Sequence, residues 1–146
     1  VSGKINPSQY GFSQDRADIE AVTAWREAAI ADGWTSEPTY GDREPEQSAA
    51  RLRHPEGFVA QTIAREFPPE RSRYRYSASV NVWGPDGMSV IPPNTYDMAA
   101  IRGALRTCEN CRATDVDTVR FSFAGRCCQK CRPAMAAKFE YPGWDL

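Results

Sequence analysis

All five cysteines of this 146-residue chain lie in one stretch, CENCRATDVDTVRFSFAGRCCQKC, residues 108 to 131. Cys108 and Cys111 form one C-x-x-C pair, and Cys128 and Cys131 form a second. Each pair lets two thiolates converge on one ion, and two pairs at this separation supply a tetrahedral four-cysteine zinc site. Disulfides in an oxidising compartment and a redox-active dithiol are the competing readings. The spacing favours one structural Zn2+ held by Cys108, Cys111, Cys128 and Cys131. Cys127 breaks the regular spacing and is expected to be a small buried hydrophobe.

The start, VSGKINPSQYGFSQ, carries no apolar signal region, and no apolar run approaches the length of a membrane span. The expected localisation is therefore cytoplasmic, with no membrane partner, which further lowers the disulfide reading. Charge is unevenly placed. Residues 1–100 hold 10 Lys and Arg against 14 Asp and Glu, whereas 101–146 hold 8 against 5. A preference for anions belongs to the C-terminal part.

Four segments follow from composition and periodicity. Residues 1–14 are polar and read as a flexible N-terminal arm. Residues 15–106 read as an α+β body. Asp15 or Asp18 caps a helix in DIEAVTAWREAAIADGW, with Ile19, Val22, Trp25, Ala29 and Ile30 near one face and Gly33 as its stop. The segment TSEPTYGDREPEQSAARLRHPEG is rich in Pro, Gly and acids and predicts a short strand, then a loop with one helical turn. GFVAQTIAREF alternates weakly. In YRYSASVNVWGPDGMSVI, Tyr74, Tyr76, Ala78, Val80 and Val82 follow period two, and Gly84 to Gly87 turns the chain toward a last strand at Met88 to Ile91. Asn94 or Thr95 then caps a helix carrying Met98, Ile101 and Leu105. The expected body is a small antiparallel sheet of three or four strands with two helices on one face.

Residues 107–141 form the cysteine module and 142–146 a C-terminal tail. Between the cysteine pairs, Val119 to Phe123 predict strand and Ala124-Gly125-Arg126 the turn of a hairpin; after Cys131, Pro133 and three alanines predict a helix. Knuckle, hairpin, then ligands at a helix start is an order that resembles a treble-clef finger. CENCRAT followed by CCQKCRPAM resembles the GATA-type zinc fingers over residues 108–138. That resemblance implies that the four cysteines are the ligands and that the helix faces a partner. FEYPGWDL stands where that family has a basic segment, so the resemblance does not extend to sequence-specific DNA binding. NVWGPDGMSVIPPNTYD and TVRFSFAGRCCQKCRPAM also resemble small proteins of actinobacterial phages, which implies a phage setting in a bacterial host.

Two binding partners are expected from the residues themselves. Arg112, Arg120, Arg126, Lys130, Arg132 and Lys138 surround the cysteines, with Phe121 and Phe123 interleaved, and such a cluster suits nucleic-acid phosphates. A host or phage protein is the alternative, with Tyr141 and Trp144 as aromatic anchors. No small-molecule substrate is inferred, and no catalysis. His54 is the only histidine, with no nucleophile beside it in sequence. The order helix, DGW, strands, helix and the motif RHPEG are similar to the HicA family of RNA-cleaving toxins. REPEQSAA, however, stands where that family places its glycine-flanked histidine.

Overall fold

A computed structural model describes residues 12–13, 15–38, 47–67, 75–121 and 125–138. The sequence readings that rest on Tyr74, Phe123, Ala124, Tyr141, Trp144, the 142–146 tail and most of the 1–14 arm fall outside these residues. The chain divides into two compact units, Val1–Met98 and Ala99–Leu146.

In the first unit, β1 (Phe12–Ser13) precedes α1 (Arg16–Ala31), and then follow β2 (Thr35–Pro38), β3 (Gln47–Arg53), β4 (Val59–Glu66), β5 (Tyr76–Trp83) and β6 (Ser89–Val90). Asp15 caps α1 by accepting the Ala17 N–H at 2.9 Å, one of the donors that a helix start leaves without a partner. Gly33, at φ +102°, turns the chain directly into β2. Val22, Trp25 and Ala29 recur at three and four residues and are buried; Ile30, a further 100° round the helix, is exposed.

All pairings in the sheet are antiparallel, in the order β1-β5-β4-β3-β2, with β6 on the same edge of β5 as β1. Register sorts the side chains. Leu52, Ala60, Val82 and Val90 stand opposite one another across four strands, as do Ala50, Thr62 and Val80 in the next row. All seven are buried, and α1 packs across this face at β4 and β5. Ala60, Ala64 and Ala78 are buried on the same face.

Thr62 is polar and fully buried in this core. Its hydroxyl donates to the Ala50 carbonyl at 3.1 Å and accepts from Arg26 Nε at 2.8 Å, so α1 is tied to the sheet by a satisfied chain of hydrogen bonds. Beside Arg26 and just past the helix end, Trp25 Nε1 donates to the Pro93 carbonyl at 3.2 Å and Trp34 Nε1 to the Tyr96 hydroxyl at 2.9 Å. Tyr96 in turn donates to the Asp32 carboxylate. These bonds fasten the segment after β6 to both ends of the α1–β2 turn.

The structure departs from the sequence expectation at three places. QSAARLR, expected as loop with a helical turn, is the strand β3. It alternates Ala50 and Leu52 inward with Arg51 and Arg53 outward, a pattern masked by its small residues and acidic approach. Phe12 and Ser13, assigned to the flexible arm, pair with Ser77 and Tyr76. The helix expected after Asn94 is α2 (Met98–Leu105), and apart from Met98 it belongs to the second unit rather than to the body. His54 lies in the β3–β4 turn, where Nδ1 accepts the Glu56 N–H at 3.1 Å and the ring packs on Trp34 at 5.2 Å.

Replacing Thr62 by Val removes the hydroxyl that accepts from Arg26 Nε and donates to the Ala50 carbonyl. The expected loss is about 1–3 kcal/mol of stability, with Thr62→Ser losing less, read by urea unfolding followed by far-UV circular dichroism.

Candidate metal centre

The second unit runs through α2, the first cysteine pair, β7 (Thr118–Phe121), β8 (Gly125–Cys128) and α3 (Arg132–Lys138). Local backbone hydrogen bonds shape each pair. Cys108 N–H donates to the Ala113 carbonyl at 2.9 Å, and Arg112 N–H to the Cys108 carbonyl at 3.0 Å. This knuckle holds Arg112 at φ +66°. The second pair spans the junction of β8 and α3. Cys128 ends the strand, Cys131 N–H donates to the Cys128 carbonyl at 3.1 Å, and Met135 N–H closes the first helical turn on the Cys131 carbonyl at 3.0 Å.

Four sulfurs meet as a result. The Sγ atoms of Cys108, Cys111, Cys128 and Cys131 all lie within 4.8 Å of one another, and Cys111 and Cys128 are 3.8 Å apart. No pair is close enough to be a disulfide, and all five cysteines are free. A tetrahedron with Zn–S bonds of about 2.3 Å has edges of about 3.8 Å, so the donor set fits a four-coordinate soft divalent ion. Cys108, Cys128 and Cys131 are buried and Cys111 is exposed.

Neighbouring N–H groups point at two of the sulfurs. The Cys111 N–H points at Cys108 Sγ at 3.4 Å, and Asn110 Nδ2 at Cys131 Sγ at 3.2 Å. Proton affinities then separate. Burial works to raise the Cys108 pKa, but the backbone N–H groups of Cys111, Cys128 and Asn110 bring it down to about 6. Asn110 pulls Cys131 down, whereas burial and the three neighbouring sulfurs together push it up to about 12. A divalent cation among them lets all four ionise.

Cys127 stands apart from this set. It is fully buried, its thiol faces the Gly125 carbonyl at 3.9 Å, and burial, then the charges of Cys108, Glu109 and Cys128, push its pKa up. It packs with Met135, Ala113 and Val116 around the cluster.

The hairpin is locked to the first knuckle through Glu109. Glu109 N–H donates to the Arg126 carbonyl at 2.8 Å, and Arg126 N–H donates back to the Glu109 carboxylate at 3.0 Å. Gly125 lies at φ +80°, and a Cβ there would collide with the same carboxylate. Gly125 and Arg126, expected in the hairpin turn, are thus the first residues of β8.

Arg126 was also expected among the cations that face a partner. Its side chain is 0% exposed and directs Nη1 toward the Thr118 hydroxyl at 3.4 Å, while that hydroxyl donates to the Leu105 carbonyl at 2.7 Å. It supports the fold and cannot reach a phosphate. Arg112 and Lys130 are exposed, and Arg132 is half-buried with its Nε enclosed and unpartnered among the described residues. The side chains of Arg120 and Lys138 lie outside the described ones. Sequence reading did not single out Arg106. It grips Asp115 and Asp117 at 3.1 Å each, while its carbonyl accepts the Val116 N–H at 3.0 Å, joining the end of α2 to the segment before β7. The spacing D-V-D after a helix-terminal arginine was the available signal.

An open groove of about 520 Å³ adjoins the cluster, lined by Cys111, Cys128, Ala113 and Val116 with Lys130 and the Arg106 clamp. Metal binding also changes the charge. Four thiolates around a divalent ion carry a net −2, so the basic excess of three in residues 101–146 falls to about +1.

No family model matches the chain, and neither a curated protein nor a solved structure is similar to it. Of the resemblances drawn from sequence, the part that stands is the four-cysteine cluster with metal-binding geometry.

Two outcomes test the centre. Purified protein is expected to hold one zinc per chain by elemental analysis, and Cys127→Ala to retain it, whereas Cys128→Ser loses it. Gly125→Ala strains the backbone and displaces Glu109, costing about 1–3 kcal/mol, read as faster zinc loss to a competing chelator than in the parent protein.

Proposed function

We propose that the second unit is a treble-clef module stapled by one structural zinc ion, and that the protein is a non-enzymatic binding protein whose finger contacts nucleic acid. Four thiolates close the coordination sphere and leave no position for an activated water. The metal therefore supplies stability, about 10–16 kcal/mol of apparent binding energy in comparable structural sites. One observation carries the binding reading. The exposed cations Arg112 and Lys130 sit one on each knuckle, next to Cys111 and Cys131, so the ion that joins the knuckles also sets the spacing of the two charges. Arg132 adds a third, half-buried charge beside them.

A protein partner is the second reading, favoured by the groove beside Cys111 and Cys128. Its lining mixes the apolar Ala113 and Val116 with charges of both signs. Such a surface suits a polypeptide segment better than a uniform polyanion.

Zinc-loaded protein titrated with labelled random DNA and RNA at two salt concentrations separates the readings. Micromolar binding that weakens steeply with salt, and that Arg112→Glu with Lys130→Glu abolishes, supports the first. Absence of binding at low salt overturns it and leaves the protein-partner reading. Strong chelator is expected to unfold residues 107–140, and unchanged circular dichroism and protease resistance in chelator would contradict a structural role for the metal.

A further inference from the structure

The first unit sorts its charges by sheet face. Residues opposite one another in register share a face, and on the side away from α1 these are Glu37, Arg51, Gln61 and Asn81 in one row and Thr35, Arg53, Val59 and Trp83 in the next. Arg65 lies on the same face opposite Ser77. Rows repeat at about 7 Å along the strands, and strands at about 4.8 Å across them. Arg51, Arg53 and Asn81 are exposed, and Gln61, Arg65 and Trp83 are half-buried. Ser77 and Ser79 are buried, so the open part of the face runs from β2 to β4 and over the far half of β5.

Residues 1–100 are acidic in sum, yet this face is not. Arg53 bonds to Glu37 at 2.8 Å, whereas Arg51 and Arg65 reach no carboxylate among the described residues. Arg65 is held over the Phe67 ring at 4.5 Å, with its Nε enclosed and unpartnered. Asp18, Glu20 and Glu27 are carried by α1 instead. The face thus combines Arg51, Arg53, two side-chain amides and an indole in two adjacent rows, with Arg65 two rows further along, beyond Ala49, Ile63 and Ser79.

We infer that this open sheet face docks single-stranded nucleic acid, with Arg51, Arg53 and Arg65 on phosphates, Trp83 stacked on a base, and Gln61 and Asn81 hydrogen-bonding base edges. Charge complementarity selects a polyanion. A broad sheet face does not enter the groove of a duplex, whereas unstacked bases lie on it with their π-faces and edges free. The inference extends the nucleic-acid reading to a second surface and rests on it.

The test uses the zinc-loaded full chain and a labelled mixed-sequence single strand, read by fluorescence polarisation over a range of salt. Arg51→Glu and Trp83→Leu are each expected to weaken binding about ten-fold. Arg51→Gln, which leaves the sheet unstrained, is expected to lower the salt slope by about 0.7. If the parent binds, Arg112→Glu with Lys130→Glu abolishes binding and the sheet variants leave it unchanged, the sheet inference is overturned and the finger reading stands. If the sheet variants weaken binding and the finger variant does not, the inference stands and the finger assignment falls. No binding by the parent overturns both.

Discussion

Four sulfurs gathered within 4.8 Å of one another are placed to hold a cation in their midst, and the second unit is arranged around them. Its hydrophobic cluster consists of Cys108, Cys127, Cys128, Cys131 and Met135, with Ala113 and Val116 packed against it. Other contacts serve alignment. Glu109 fixes the hairpin to the first knuckle, Arg126 and Thr118 link the hairpin to the end of α2, and Arg106 braces the approach to β7. Small metal-stapled units commonly divide the work in this way, with the ion supplying energy and the hydrogen bonds supplying shape.

The two units solve the problem of buried polarity differently. In the first, Thr62 and Arg26 form a short hydrogen-bonded chain inside an otherwise aliphatic layer, and Trp25, Trp34 and Tyr96 each send their polar atom to a partner at the core's rim. In the second, a whole guanidinium is enclosed at Arg126 within the same hairpin that presents Cys128. An arginine in a basic stretch therefore serves the interior, while its neighbours Arg112 and Lys130 remain at the surface.

Much of this was legible in the sequence. Spacing alone picked out the four cysteines that cluster and set Cys127 aside, because the chemistry of a tetrahedral thiolate site constrains position more tightly than any helical or strand period does. Helix α1 was legible from its cap and its three- and four-residue repeat. β3 was not, since Ala and Ser carry a weak inward signal and its meaning comes from pairing with β4. Nor was the burial of Arg126. A charge count treats every arginine as a surface group, whereas this one is buried with Nη1 toward the Thr118 hydroxyl. The membership of α2 was equally hidden, because helical periodicity reports an apolar face without saying what that face meets. Among the described residues no helix is long and apolar enough to cross a membrane, in line with the hydropathy of the sequence.

The two short strands at the outer side of β5 bear on how the chain behaves when concentrated. β1 covers Tyr76 and Ser77 at one end of that strand and β6 covers Val82 and Trp83 at the other. Between them Ala78 to Asn81 pair only with β4 among the described residues. A long bare strand is a template for another chain's strand, and capping both ends leaves a window of four residues, too short for a stable intermolecular ladder. At the opposite side β2 has four residues and ends in Pro38, which lacks the N–H that an added strand would seek. Phe12 and Ser13, though only a pair of residues, thereby act as a guard against aggregation, and trimming the chain past them would expose the edge they close.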